Sequence, residues 1–137
     1  MARILLAEDD DNVRQFVARA LEYSGHAVVA AEDGGLAAEI CTAESGAFDL
    51  LLSDIKMPVM DGIALALEIG AAHPRMPIVL MTGFADQRER ADGLDALVYD
   101  VIPKPFSLGD LVAKVADALT GKPVEIVSLA RRAVAER

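Results

Sequence analysis

Several things are scarce in this 137-residue chain. Cys41 is its one cysteine, so no internal disulfide can form, which fits a reducing, cytoplasmic setting. There are two histidines, His26 and His73, and their positions lack metal-ligand spacing. No apolar run approaches the roughly 20 residues that a membrane span requires. No basic start leads into an apolar segment, so no secretory signal is expected. Six prolines and ten glycines suffice for turns without creating low complexity. Basic residues are outnumbered, 13 against 22 acidic, for a net charge of −9. The deficit lies in residues 1–121, whereas the stretch from Lys122 onward is slightly basic. An acidic body argues against direct binding to nucleic acid or to anionic membranes, since both rely on basic patches.

Apolar residues are plentiful. At 53% hydrophobic and 26% charged, the composition is that of a globular protein, and the length suits one domain with a single core. Residues 3–7, RILLA, form a short apolar run that stops at Glu8, Asp9, Asp10 and Asp11. Val13, Phe16, Val17, Ala20 and Leu21 then recur at helical spacing, with Asp11 or Asn12 as the cap and Gly25 at the C′ position. The same reading predicts strands over 27–31, 49–54, 78–82 and 98–102, and helices over 36–43, 63–72, 87–94 and 108–119. The strands are continuous apolar runs, as expected of a parallel sheet covered on both faces. Five strands alternating with five helices, joined by short connections, make a doubly wound α/β sheet.

In such sheets ligands bind beyond the carboxyl ends of the strands. The polar residues that interrupt apolar runs here all fall at that end. The first strand runs into Glu8 and Asp9, the third into Asp54, the fourth into Thr82, and the fifth is followed by Lys104 and Pro105. Two carboxylates about 4 Å apart repel by about 4 kcal/mol at an effective dielectric near 20. Glu8, Asp9 and Asp54 would therefore need a cation. An all-oxygen donor set favours Mg²⁺, or Mn²⁺, over Zn²⁺, and the backbone carbonyl of Lys56 could complete it. Lys104 could neutralise a phosphoryl oxygen and Thr82 could donate a hydrogen bond to another. An aspartate can itself be the nucleophile in phosphoryl transfer, and Asp54, at the tip of LLLSD, is the best placed.

Four segments carry a resemblance: ILLAEDD at 4–10, SDIKMPVMDG at 53–62, MTG at 81–83 and KPF at 104–106. Together, in this order, they resemble the receiver domain of two-component response regulators, over about residues 2–120. The resemblance implies a (βα)5 flavodoxin-like fold with strand order 2-1-3-4-5 over residues 1–121, followed by a tail over 122–137. It implies that Asp54 accepts a phosphoryl group from a histidine kinase or histidine phosphotransfer protein. It further implies that Glu8, Asp9, Asp54 and the Lys56 carbonyl hold Mg²⁺, that Thr82 is the switch hydroxyl, that Lys104 is the family's lysine, and that the Lys104–Pro105 bond is cis. Output would then be protein–protein contact with a downstream target, without direct DNA or membrane binding, and self-dephosphorylation would be slow. Small stand-alone receivers of alphaproteobacterial type are the nearest resemblance. One departure stands out. Where the family usually has an aromatic residue, three positions before the lysine, this chain has Val101. Tyr99, two residues earlier, is expected on the same strand face.

Two further readings compete. A Mg²⁺-dependent phosphatase with an Asp nucleophile usually has a second acid two residues on, where this chain has Lys56. A receiver fold used constitutively, without phosphorylation, would be compatible with Val101. The remaining residues have plainer roles. Asp10 and Asp11 read as first-turn residues favoured by the helix dipole. Asp61 reads as a helix N-cap, and Cys41 as a small buried apolar group. In the tail, Ile126, Leu129, Ala130, Ala133 and Val134 have helical spacing. The tail is either an amphipathic helix or a frayed end.

Overall fold

The computed structural model describes residues 1–83 and 98–120. Five strands, β1 (Arg3–Ala7), β2 (Ala27–Ala31), β3 (Leu50–Asp54), β4 (Ile78–Thr82) and β5 (Asp100–Pro103), form one sheet in the order β2-β1-β3-β4-β5. Every pairing is parallel. Four helices lie among the described residues: α1 (Asp11–Tyr23), α2 (Gly34–Ala43), α3 (Gly62–Ala72) and α4 (Leu108–Thr120). The predicted helix over 87–94 and the tail over 122–137 lie outside the described residues.

Strand alternation sorts the apolar side chains into two cores. Ile4, Leu6, Leu50, Leu52, Val79 and Met81 pack with Val17 and Leu21 of α1 and Leu111 and Val115 of α4. Leu5, Ala7, Leu51, Ile78 and Leu80 pack on the other face with Ala37 and Cys41 of α2 and Leu65 and Ile69 of α3. Both faces are covered, which is why the strands read as unbroken apolar runs. All five residues of β3 are buried. It sits between β1 and β4, so its last residue, Asp54, opens at the centre of the sheet's carboxyl edge. The chain leaves β1 for β2 on one side and β3 on the other, making the gap between β1 and β3 the switch point.

Helix ends follow their sequence signals with some corrections. The α1 cap is Asp10, whose side chain accepts from the Val13 N–H, rather than Asp11 or Asn12. Asp10 is therefore a cap and not simply a first-turn residue. Asp33 and Asp61 cap α2 and α3 in the same way, and α2 starts two residues earlier than predicted. The Ser107 hydroxyl accepts from the Asp110 N–H at the start of α4. Gly25, with φ +98°, closes α1: its N–H donates to the Glu22 carbonyl and that of His26 to Leu21, the paired bonds of a Schellman motif. Cys41 is buried as expected, and burial pushes its thiol pKa up, with Glu68 adding to the effect. Strand β5 starts at Asp100, not at 98. Tyr99 lies in the bend before it, so alternation does not extend back to it. Tyr99 packs on the α1–α4 side and Val101 on the α2–α3 side. They do not share a face.

One close approach fixes α3 against β3. A Cβ added at Gly62 would lie 2.1 Å from the Asp54 carbonyl oxygen, and the Gly62 N–H donates to the Ile55 carbonyl at 2.7 Å. Gly62→Ala should therefore cost about 1–3 kcal/mol through overpacking, read as a lower urea midpoint. An unchanged midpoint would show that the helix start can shift freely.

Candidate functional site

Three side chains from two loop-and-strand ends meet at the switch point. Ligand atoms of Glu8, Asp9 and Asp54 all lie within 4.8 Å of one another. Glu8 is 1% exposed and Asp54 7%, whereas Asp9 is exposed. The Lys104 ammonium reaches both buried acids, 3.1 Å from Glu8 Oε1 and 3.2 Å from Asp54 Oδ1. Lys104 is held there by its own backbone, whose N–H donates to the Thr82 carbonyl at 2.7 Å. The Lys104–Pro105 bond is cis. Thr82 is buried at the carboxyl end of β4, one residue beyond Met81, the register partner of Asp54. Lys56 is exposed in the loop after β3.

Two buried carboxylates share one ammonium, and the protonation equilibria register the shortfall. Burial pushes the Glu8 carboxyl above the usual carboxylate range, and Asp54 adds to this; the Asp10 N–H and Lys104 oppose it. Burial likewise raises Asp54, with Asp9 contributing; Lys104 and the Ile55 N–H pull it back. Burial works against the charge on Lys104, but Asp54 and Glu8 together hold its pKa above the ordinary lysine value. Among the described residues the cluster is all oxygen and sets three carboxylates beside the Lys104 ammonium. Those properties suit a hard divalent cation.

The loop after β3 contains a strained residue. Val59 has φ +70°, in a region that β-branched residues rarely occupy. The Met60 N–H donates to the Pro58 carbonyl at 2.8 Å, closing a three-residue turn about Val59 of the rarer, strained kind. Its side chain is 84% exposed. Sequence reading did not single out Val59. Neither Gly62, after the cap Asp61, nor Arg14, which donates to the Glu8 carbonyl at 2.9 Å, stood out in the sequence. The available signal for Arg14 was a cation in a helix's first turns, where the dipole disfavours one.

Residues 4–116 match the response regulator receiver domain family, and the chain belongs to it. The response regulator receiver protein CpdR of Brucella abortus is 42% identical over 119 residues, which cover 87% of this chain and 98% of that protein. Other curated response regulators are longer: the chain spans 52% of one and 24% of another. A receiver domain protein from Clostridium thermocellum superposes with a TM-score of 0.82 at 25% identity, over 90% of this chain and 98% of that one. The response regulator TrrA of Thermotoga maritima, solved with Mg²⁺ and BeF, gives 0.75 at 29% identity, over 87% and 100%. The chain is thus a receiver domain of the two-component type, a class of phosphorylation-dependent signalling switch.

Asp54 binds its proton more tightly in the folded protein than in the unfolded chain. Its contribution to stability is thus full below an unfolded pKa of about 3.9 and is lost as pH rises through the higher folded value. Without divalent cations, the melting temperature of Asp54→Asn relative to wild type should rise as the pH is raised from about 4 and level off above the folded pKa of Asp54. A difference that is flat with pH would contradict this. Val59→Gly should gain about 1 kcal/mol by relieving strain, and a urea midpoint at or below wild type would count against that.

Proposed function

We propose that Asp54 is the phospho-acceptor of this receiver, loaded by a histidine kinase or a histidine phosphotransfer protein, and that the phosphorylated form signals by contact with a downstream protein. The observation that carries this reading is the placement of Asp54: a buried carboxylate at the tip of the central strand, 3.2 Å from Lys104. Asp54 Oδ1 is engaged by Lys104 and by the Ile55 N–H, so Oδ2 would be the attacking atom. The new O–P bond forms as the donor's P–N bond breaks, and the imidazole leaves with the electron pair. Lys104 favours the ionised form of the nucleophile against its burial and stays close to the charge that arrives. Thr82, at the adjacent strand end, is the hydroxyl that responds to it.

Glu8, Asp9, Asp54 and the Lys56 carbonyl would hold Mg²⁺ or Mn²⁺. When bound, the ion supplies positive charge that offsets repulsion between the carboxylates and the incoming phosphoryl oxygens. The residues fit, because one ammonium serves two buried acids and a third acid lies beside them. The protein acts as a phospho-acceptor in the cytoplasm, with slow self-dephosphorylation, rather than as a phosphatase on other substrates. Lys56 stands where such a phosphatase would place its second acid. No described helix is long and apolar enough to cross a membrane.

The readout differs from the common pattern of the family. Val101 packs into the α2–α3 core and Tyr99 lies on the opposite face, so an inward-swinging aromatic is not available from either position. Among the described residues, Thr82, Lys104 and the backbone of β5 are the groups placed to carry the response to phosphorylation.

Incubation with a small phosphodonor such as acetyl phosphate and Mg²⁺ should label the wild type on one carboxyl, with release by hydroxylamine. Asp54→Asn should take up no label. Full labelling of that variant would sink the assignment.

A further inference from the structure

We infer that Arg14 is a positioning residue for the acidic loop, holding Glu8 and Asp9 in the arrangement that receives a divalent cation; this rests on the metal reading given above. Arg14 lies on α1 four residues after the cap Asp10, and its own N–H makes the helix's first backbone bond, to the Asp10 carbonyl at 2.8 Å. A cation that close to a helix N-terminus opposes the dipole, yet the Arg14 side chain folds back along the first turn, where it meets two acceptors. Its side chain is 17% exposed, while the Asp11 side chain it pairs with is 75% exposed. Nη2 pairs with Asp11, and Nη1 crosses the first turn to the Glu8 carbonyl, 2.9 Å away.

That carbonyl is where β1 ends and the acidic loop begins. The other polar groups of Glu8 are held as well. Its N–H donates to Ala31 of β2 at 3.1 Å, Oε1 accepts from Lys104, and Oε2 accepts from the Asp10 N–H at 3.1 Å. Glu8 is thus fixed from the sheet, from β5 and from α1. Arg14 is the side chain that supplies the tie from α1. Its guanidinium spans Glu8 and Asp11, the two ends of the Glu8–Asp11 run. The peptide carrying Asp9, the exposed member of the acidic group, lies between those anchors. Outer-shell hydrogen bonds of this kind tune metal sites by fixing the direction of the ligands.

The test uses Arg14→Met, which keeps the aliphatic stem and removes the donors, and Arg14→Lys, which keeps one donor for the Glu8 carbonyl. Mg²⁺ affinity is measured by calorimetry, and exchange of the Asp9 and Asp10 amides is measured by NMR on the protein without metal. Arg14→Met should weaken Mg²⁺ binding by about 10-fold or more and accelerate exchange at both amides, and Arg14→Lys should recover most of each. If Arg14→Met lowers the melting temperature but leaves Mg²⁺ affinity and loop exchange at wild-type values, Arg14 merely stabilises the helix and the inference is overturned. If the wild type binds no Mg²⁺, the metal reading fails by itself. The inference then fails with it as regards the cation, while the exchange data still decide whether Arg14 orders the loop.

Discussion

One ammonium stands between two buried carboxylates, and the rest of this domain is arranged around that imbalance. Lys104 reaches Glu8 and Asp54 at nearly equal distances, and both acids are buried at strand ends. Burial disfavours each negative charge, and one cation cannot fully offset both. A fold optimised only for stability would replace one of these acids. Retaining both keeps the site receptive to added positive charge and makes the carboxylate at the centre of the sheet a focus for any group that changes the local charge. The apolar runs of β1 and β3 supply the low-dielectric setting. The topology, with β1 and β3 adjacent and their following segments diverging, opens the space above them.

The acidic residues at this edge of the sheet are of one chemical kind but divide into two roles. Asp10, Asp33 and Asp61 follow successive strands and each accepts a backbone N–H at the start of the next helix. They satisfy donors that the helix leaves open. Glu8, Asp9 and Asp54 sit one or more residues nearer the strand ends, and their oxygens converge. A shift of one residue along the loop separates a cap from a member of the converging group. The separation is maintained by contacts that consume no acid of the converging group: Gly62 against the Asp54 carbonyl, and the guanidinium of Arg14 on Glu8.

Much of this was legible in the sequence. Apolar runs of three to five residues marked the first four strands, because a doubly covered parallel sheet leaves no polar face to blur them. Glu8, Asp9, Asp54, Thr82 and Lys104 could be picked out because each ends or follows such a run. Other features could not be read. Asp10 and Asp11 are chemically identical neighbours, and only backbone geometry decides which of them caps α1. Tyr99 and Val101 share a parity, yet the bend before β5 breaks the alternation on which that inference depended. The left-handed backbone at Val59 is hidden because a β-branched residue is the last that would be expected there. Arg14 is separated by six positions from the carbonyl it holds, and no periodic pattern links a helix side chain to a strand end across a turn.

The Lys104–Glu8 contact joins residues 96 positions apart, so the counter-charge of the site comes from late in the chain. During synthesis, a growing chain that has emerged only through β4 already contains Glu8, Asp9 and Asp54, but not the ammonium that moderates them. Such a fragment holds the acids of the site without their counter-charge. The last strand therefore does more than extend the sheet: by delivering Lys104 it completes the site, and a chain truncated before residue 104 lacks that counter-charge whatever structure its first strands have reached.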